Sequence, residues 1–577
     1  MERRVLVAFL LSFLVIYGYQ FYFAHPTPKP APVSATSPGG ASGAGTASGQ
    51  PGAVTASADA TPAEPASTPL VGDSTERDIR VETPHVSAVF TNRGARLKSW
   101  TLKGYRDRFD KPLELVAKEL AATEPLPFTL KTDDARVTRV VNSALYTVGG
   151  APDGGEISSP ATITFNYRDD SGISATKEFV LDPASFLVTV RVTLKENDRT
   201  LNPAIQWGPG LGDNDSQTGR SAVLPGGLSA VAGTVSRPTA KSIGAAMTAE
   251  DTFDYVGIED HYFLSIALKP GRAKALYTAF TEPIPSDAEQ PPRQFVSYEL
   301  QMPQPEAPIT YFVGPKNFDT LAAVDPALTK TINYGMFAVI IVPLLRTLNW
   351  IHDYIGNYGW SIVALTALLR IILFPLNHMS VASTRKMQEI QPEAKAIQER
   401  YSKLKTTDPA RQKMNQELMA LYRERGVNPA GGCIPGLLPL PILMAFYYML
   451  NYSIELRGTP FIGWIHDLSQ PDKFYLLPIL VGVSQFTMQW MMPAPPGVDP
   501  AQQKMMMVMP LVMMFLFITM PAGAMLYYFV NNILGIGQQM LTNKLIGPPN
   551  IRTARPAAER RVKRVGSGKT EDASREN

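Results

Sequence analysis

Ala364-Leu365-Thr366-Ala367-Leu368-Leu369-Arg370-Ile371-Ile372-Leu373-Phe374 sets a cation inside a stretch, Tyr354 to Leu376, that carries no other charge. A helix needs about 20 residues to cross the hydrocarbon core of a bilayer, so this stretch is long enough. A charge at the bilayer centre costs about 2.5–3.5 kcal/mol on insertion scales and on the order of 10 in simulations. Arginine cannot escape by losing its proton. It needs a buried acid or water. The other apolar stretches contain no Asp or Glu: Glu455 and Asp472 fall at outer ends, and Asp499 in a short inner loop. Arg370 is therefore expected to face a water-filled cavity. The competing reading is snorkelling toward the inner end at Asn377, two turns away. Either way the opening faces the cytoplasm. Thr366 lies one turn from Arg370 on the same face. Gln485, Gln489, Tyr527, Tyr528, Asn531 and Asn532 are candidates for the far wall, with hydrogen bonds between helices as their other use.

Outward from this stretch, Gly426–Ile454, Phe474–Val498 and Met505–Asn543 are also free of charge. The last has 39 residues, roughly 58 Å as helix and twice the hydrocarbon thickness. Pro521-Ala522-Gly523 is the expected turn within it. With the N-terminal run Val5–Phe23, six spans result, near 5–24, 356–377, 433–453, 474–492, 505–520 and 524–543. Met336–Leu345 has only ten apolar residues before Arg346 and Trp350, which suits a helix lying in the interface. Charge supports this parity. Residues 385–425 carry ten Lys or Arg against six Asp or Glu, and the tail from Lys544 carries nine against four. Six spans place both, and the N-terminus, in the cytoplasm.

The N-terminal run follows Arg3 and Arg4 and ends Tyr22-Phe23-Ala24-His25-Pro26, without the small-residue cleavage pattern of a secretory signal. It is read as an uncleaved anchor, residues 1–25. Residues 26–75, mostly Ala, Pro, Gly, Ser and Thr, form a flexible tether. From 76 to 328 the period becomes two. Phe186, Val188, Val190, Val192 and Leu194 alternate with Leu187, Thr189, Arg191 and Thr193, and Ile163, Phe165 and Tyr167 follow suit. Turn pairs such as Asp153-Gly154 and Pro225-Gly226 punctuate the strands. This predicts an all-β antiparallel sandwich, and its place between the first and second spans puts it in the periplasm. With one cysteine, Cys433, no intramolecular disulfide can staple it. The interfacial helix takes 329–353 and the membrane all-α core 354–545. Within that core, Met387, Ile390, Ala394, Ile397, Tyr401 and Leu404 face Met414, Leu418, Leu421 and Tyr422 in a helical hairpin over 379–427. Asp408-Pro409 opens its second helix and Gly426 ends it. The hairpin is either a plain connector or a basic surface for ribosome or lipid headgroups. The basic tail is 546–577.

Of 22 methionines, 14 fall between Met444 and Met540. Methionine fills lipid-facing or core surfaces, and it also suits a surface that receives many different helices. A net charge of +3 over 577 residues gives no case for DNA. No phosphate loop, His–Glu metal motif or nucleophile elbow is present, so no cofactor, metal or enzymatic activity is expected.

Several stretches carry a family likeness: Asn357-Tyr358-Gly359-Trp360-Ser361, the Arg370-to-Pro375 segment, Asn428-Pro429-Ala430-Gly431-Gly432-Cys433, Trp464-Ile465-His466-Asp467-Leu468, Asp499-Pro500-Ala501-Gln502-Gln503-Lys504 and Leu526-Tyr527-Tyr528. Tyr255-Val256-Gly257-Ile258 and Tyr311-Phe312-Val313-Gly314-Pro315-Lys316 add to it. The chain resembles the YidC family of bacterial membrane protein insertases, in its six-span form with a large periplasmic domain. The family usually has leucine where this chain has Ala430. The resemblance implies a hydrophilic groove in the inner membrane, open to cytoplasm and lipid, whose arginine matches Arg370. It implies a hydrophobic slide on the third and fifth spans, here Met444, Tyr447, Tyr448, Met509, Met513 and Phe515. It also implies that nascent integral membrane proteins are the cargo and that the Sec translocon, including SecD/SecF, is a partner. The rival reading is a solute transporter with Arg370 as anion site, but the internal repeats common in transporters are not evident.

Overall fold

The computed structural model describes residues 68–107, 109–121, 123–151, 155–213, 223–283, 292–401, 410–426, 439–491 and 500–546. The anchor, most of the tether, the Asp153-Gly154 turn, Leu404, Asp408-Pro409, the 428–433 motif and the tail lie outside the described residues.

The period-two segments form antiparallel strands. In Leu187–Glu196 the residues Val188, Val190, Val192 and Leu194 are buried. The strand pairs with Ile173–Leu181 on one side and Ile309–Pro315 on the other. The sheet continues through Phe263–Glu282, Met247–Glu259 and Gly226–Val231. A smaller sheet, Asp78–Glu82, Val86–Thr91, Arg96–Arg106 and Pro112–Glu114, packs against it. Phe90 stands 4.8 Å from Phe179, and the Trp100 indole N–H donates to the Val313 carbonyl at 2.9 Å. Two details differ from the sequence reading. Pro69–Val71, inside the expected tether, pairs with Ala161–Asp169. Pro225-Gly226 is no turn, because Gly226 already pairs with Glu259.

Lys177 occupies an inward position of Ile173–Leu181 and is fully buried. Its ammonium nitrogen lies 2.7, 3.2 and 2.8 Å from the carbonyls of Gly94, Ala95 and Phe128. Burial pushes its pKa well below the ordinary lysine value.

Three helices decorate the sandwich: α1 (Ala135–Ser143), α2 (Ala240–Ile243) and α3 (Phe318–Val324). The remainder is helical: α4 (Ala338–Ile355), α5 (Tyr358–Ile372), α6 (Phe374–Glu389), α7 (Gln391–Arg400), α8 (Ala410–Glu424), α9 (Pro439–Tyr452), α10 (Leu476–Met491), α11 (Pro500–Phe517) and α12 (Ala522–Ile546). Among the described residues, one helical stretch, Gly335–Ile355 with 21 residues and mean hydropathy 1.4, is long and apolar enough to cross a membrane on its own. Shorter apolar helices cover Tyr358–Ile372 and Leu476–Met491. The stretch at α4 thus extends well past the ten-residue run read from sequence, because Leu348 and Ile351 continue the buried row Ile341, Leu344 and Leu345 beyond Arg346. Its other face exposes Val339, Arg346, Trp350 and Tyr354.

The hairpin stripes meet. Met387 and Ile390 pack with Tyr422, and Ala394 and Ile397 with Leu418. Arg425 holds Glu393 at 2.7 Å, and the Tyr401 hydroxyl donates to Glu417 at 2.7 Å. Gly426, at φ 63°, ends α8.

The sandwich is seated on the end of α9 and on the segment that joins it to α10. Arg457 makes a bidentate ion pair with Asp213 at 2.7 and 3.0 Å. The His261 Nε2 lies 2.8 Å from the Asn451 carbonyl, and the Asn317 amide donates to Glu455 at 3.0 Å. Burial raises the Glu455 carboxyl to about 7, with Asp319 adding to the shift. Burial and the nearby Asp213 push Asp260 up to about 8. A carboxyl with a raised folded pKa stabilises the fold below its unfolded value, 4.5 for Glu455, and that contribution is lost as pH climbs through the folded value. The thermal midpoint of the full chain in detergent is therefore expected to fall between pH 5 and 8. Glu455→Gln is expected to make that fall shallower; an unchanged slope would assign it to other groups.

Candidate functional site

The arginine is positioned by a short, well-defined helix. Asn357 caps α5, its side chain accepting the Trp360 N–H at 3.1 Å. Gly359 lets the segment between α9 and α10 close in, since a Cβ there would stand 2.0 Å from the Phe461 ring. Ile362, Leu365 and Thr366 are buried. Pro375 lacks the N–H that would continue the ladder to Ile371, so the helix breaks at Leu373. Its 15 residues span about 22 Å, against about 30 Å of hydrocarbon. Arg370 stands in the last turn.

Its guanidinium reaches across to α12. Nε donates to the Asn531 side-chain oxygen at 2.8 Å, Nη1 to the Gln538 side-chain oxygen at 3.3 Å, and Nη2 to the Asn531 carbonyl at 2.6 Å. All three acceptors are neutral. Among the described residues no carboxylate forms an ion pair with Arg370. A cavity of about 40 Å³ adjoins it, lined by Thr366, Leu369, Leu373, Asn377, Ile442, Tyr527 and Asn531. Thr366 is buried, and its hydroxyl donates to the Ile362 carbonyl at 2.6 Å. Tyr527 stacks on Phe446 of α9 at 4.1 Å, which fixes one wall.

The other residues named for the far wall lie elsewhere. Gln485 and Gln489 on α10 do not line this cavity. Tyr528 packs on Phe517 at 5.0 Å, and the Asn532 amide donates to Ser484 at 3.1 Å, tying α12 to α10. Gln538 was missed; it lies seven positions after Asn531 on the same helix face. On α11 the outward stripe is Val508, Leu511, Val512 and Phe515, the last 67% exposed. Met509 and Met513 are half-buried, and Met513 packs against the core. On α9, Met444 is exposed, while Tyr447 and Tyr448 are half-buried and Tyr448 stacks on Phe337 at 5.6 Å. The exposed apolar face of α11 thus runs through Val508, Leu511, Val512 and Phe515 at i, i+3, i+4, i+7, with Met507 beside it.

Two family models match this chain. The YidC periplasmic domain matches residues 78–347, and the 60Kd inner membrane protein model matches residues 350–548. A membrane protein insertase YidC of Pelobacter propionicus is 32% identical, covering 95% of this chain and 100% of its own length. The chain belongs to the YidC family. Relatives in Syntrophus aciditrophicus and Ralstonia nicotianae, also named membrane protein insertase YidC, are 30% and 32% identical over 94% and 95% of this chain and 100% and 98% of theirs. The sandwich and the first half of α4 fall in the periplasmic-domain model, and α5 to α12 fall in the inner-membrane model. Arg370, Asn531 and Gln538 all belong to the inner-membrane part.

Proposed function

We propose that this chain receives hydrophobic segments of newly made membrane proteins and releases them into the inner membrane, its sandwich lying in the periplasm. The observation that carries this reading is a cation held, among the described residues, by neutral acceptors beside a cavity of about 40 Å³, room for roughly two or three waters. A charge held in this way attracts acidic groups in the polar tail of a substrate. Meanwhile the substrate helix rests on Met444, Val508, Leu511, Val512 and Phe515. Burial of that helix in lipid drives the step at about 25 cal/mol per Å². The membrane potential adds about 2.3 kcal/mol per charge per 100 mV for an acidic tail moving outward.

The proposal includes six spans, with N-terminus, hairpin and tail in the cytoplasm and α4 lying in the interface. The excess of Lys and Arg over residues 385–425 and the tail supports that orientation. It also includes contact with the ribosome through hairpin and tail, and work beside the Sec translocon and SecD/SecF. Photocrosslinkers placed at 444, 508, 511, 512 and 515, facing a stalled nascent chain, test the slide. Crosslinks to the nascent apolar segment are expected at these positions. Crosslinks confined to other faces of α9 and α11 would remove it.

A further inference from the structure

The side chain of Arg370 is held where a residue on another helix has no side chain. Gly535 stands on the face of α12 that also carries Asn531 and Gln538. A Cβ at Gly535 would lie 2.8 Å from Arg370 Nη2 and 3.3 Å from its Cζ. Helix propensity alone favours alanine over glycine inside a 25-residue helix. By helix geometry the Asn531 carbonyl is the acceptor of the Gly535 N–H, and a carbonyl has a second lone pair to offer. The missing Cβ leaves that lone pair open to the side. Arg370 Nη2 takes it at 2.6 Å. The Asn531 and Gln538 side-chain oxygens then accept from the other two nitrogens.

We infer that Gly535 and Gln538 are positioning residues for Arg370: a glycine window and an amide on α12 that set where the guanidinium presents its charge to the groove. This rests on the groove reading above. It assigns a role to two residues that touch no substrate. It also makes the groove depend on how α12 is rotated against α5.

The test is a two-by-two cycle on the full-length protein in proteoliposomes. It reads the initial insertion rate of a single-span substrate with an acidic tail. Gly535→Ala is expected to lower the rate about tenfold when residue 370 is arginine. In an Arg370→Lys background the ammonium ends one atom short of Nη2, so the same change is expected to cost less than about twofold. Equal losses in both backgrounds, or none in either while Arg370→Ala is defective, would overturn the inference and leave the groove reading standing. Equal losses would point to packing against Met488, whose sulfur would lie 3.2 Å from the added Cβ. Normal insertion by Arg370→Ala would overturn both. Should Gly535→Ala fail to accumulate, Gln538→Leu replaces it. That change is expected to lower the rate with arginine present and to add nothing to the loss caused by Arg370→Ala.

Discussion

Arg457→Met is expected to destabilise the full chain by about 3–5 kcal/mol, the usual cost of leaving one member of a buried ion pair alone. The pair is buried on both sides: Asp213 is 0% exposed and Arg457 11%. The Arg457 guanidinium also lies 5.1 and 5.2 Å from the centres of the Tyr262 and Phe263 rings, and its outer side borders a cavity of about 1140 Å³ that Tyr262 and Glu455 also line. Once the cation is gone, the repulsion between Asp213 and Asp260 loses its main counterweight, although the Lys316 ammonium remains close to Asp260. The uncompensated charge must then draw water into the seam between sandwich and helices. Chemical denaturation of the full chain in detergent reads the loss. The double variant Arg457→Met with Asp213→Leu removes both charges and is expected to recover most of it, since apolar replacements of buried pairs are often neutral. A single variant within about 1 kcal/mol of the parent would mean that the pair is solvated and behaves as a surface salt bridge.

Much of the fold was legible because burial writes a period into the chain. The alternation of Val188, Val190, Val192 and Leu194 needs only one buried face to be visible. Lys177 obeys the period but not the chemistry: it shares the inward face with Ile173, Ala175, Phe179 and Leu181, and carbonyls from Gly94, Ala95 and Phe128 converge on its ammonium from distant turns. No local pattern records such a convergence.

The site divides the same way. The charge at Arg370 and the lack of an acid in the apolar stretches follow from the sequence alone. Which polar residues face it does not. Helix α12 offers adjacent pairs: Tyr527 and Tyr528, Asn531 and Asn532, Gln538 and Gln539. Neighbours in a helix point about 100° apart, so only one of each pair can face α5. Composition cannot choose between them. Packing chooses, through Asn532 bonded to Ser484 and Tyr528 set on Phe517. That rotation leaves Tyr527, Asn531 and Gln538 toward the arginine. Spacing could have found Gln538 once Asn531 was accepted, because the two lie seven residues apart on one face.

Arg370→Glu is expected to slow insertion of an acidic-tailed substrate by about a hundredfold, Arg370→Ala by about tenfold, and Arg370→Lys by the least. At 4 Å and an effective dielectric near 20, a unit charge pair is worth about 4 kcal/mol. A transition state that realises a third of this gives a factor of about ten when the charge is removed. Reversing the sign adds a repulsion of similar size. It also leaves a carboxylate near the Asn531 backbone carbonyl, an acceptor that cannot turn to donate as the Asn531 and Gln538 side-chain amides can. Lysine keeps the charge but loses the fork, so it keeps attraction while losing direction. The order Lys, Ala, Glu should hold for acidic tails and compress for neutral ones, since only the former feel the charge at long range. Equal rates for all three variants at equal protein level, across several substrates, would strip Arg370 of its electrostatic role. A defect of the same size for neutral and acidic tails would instead make the residue a packing element between α5 and α12.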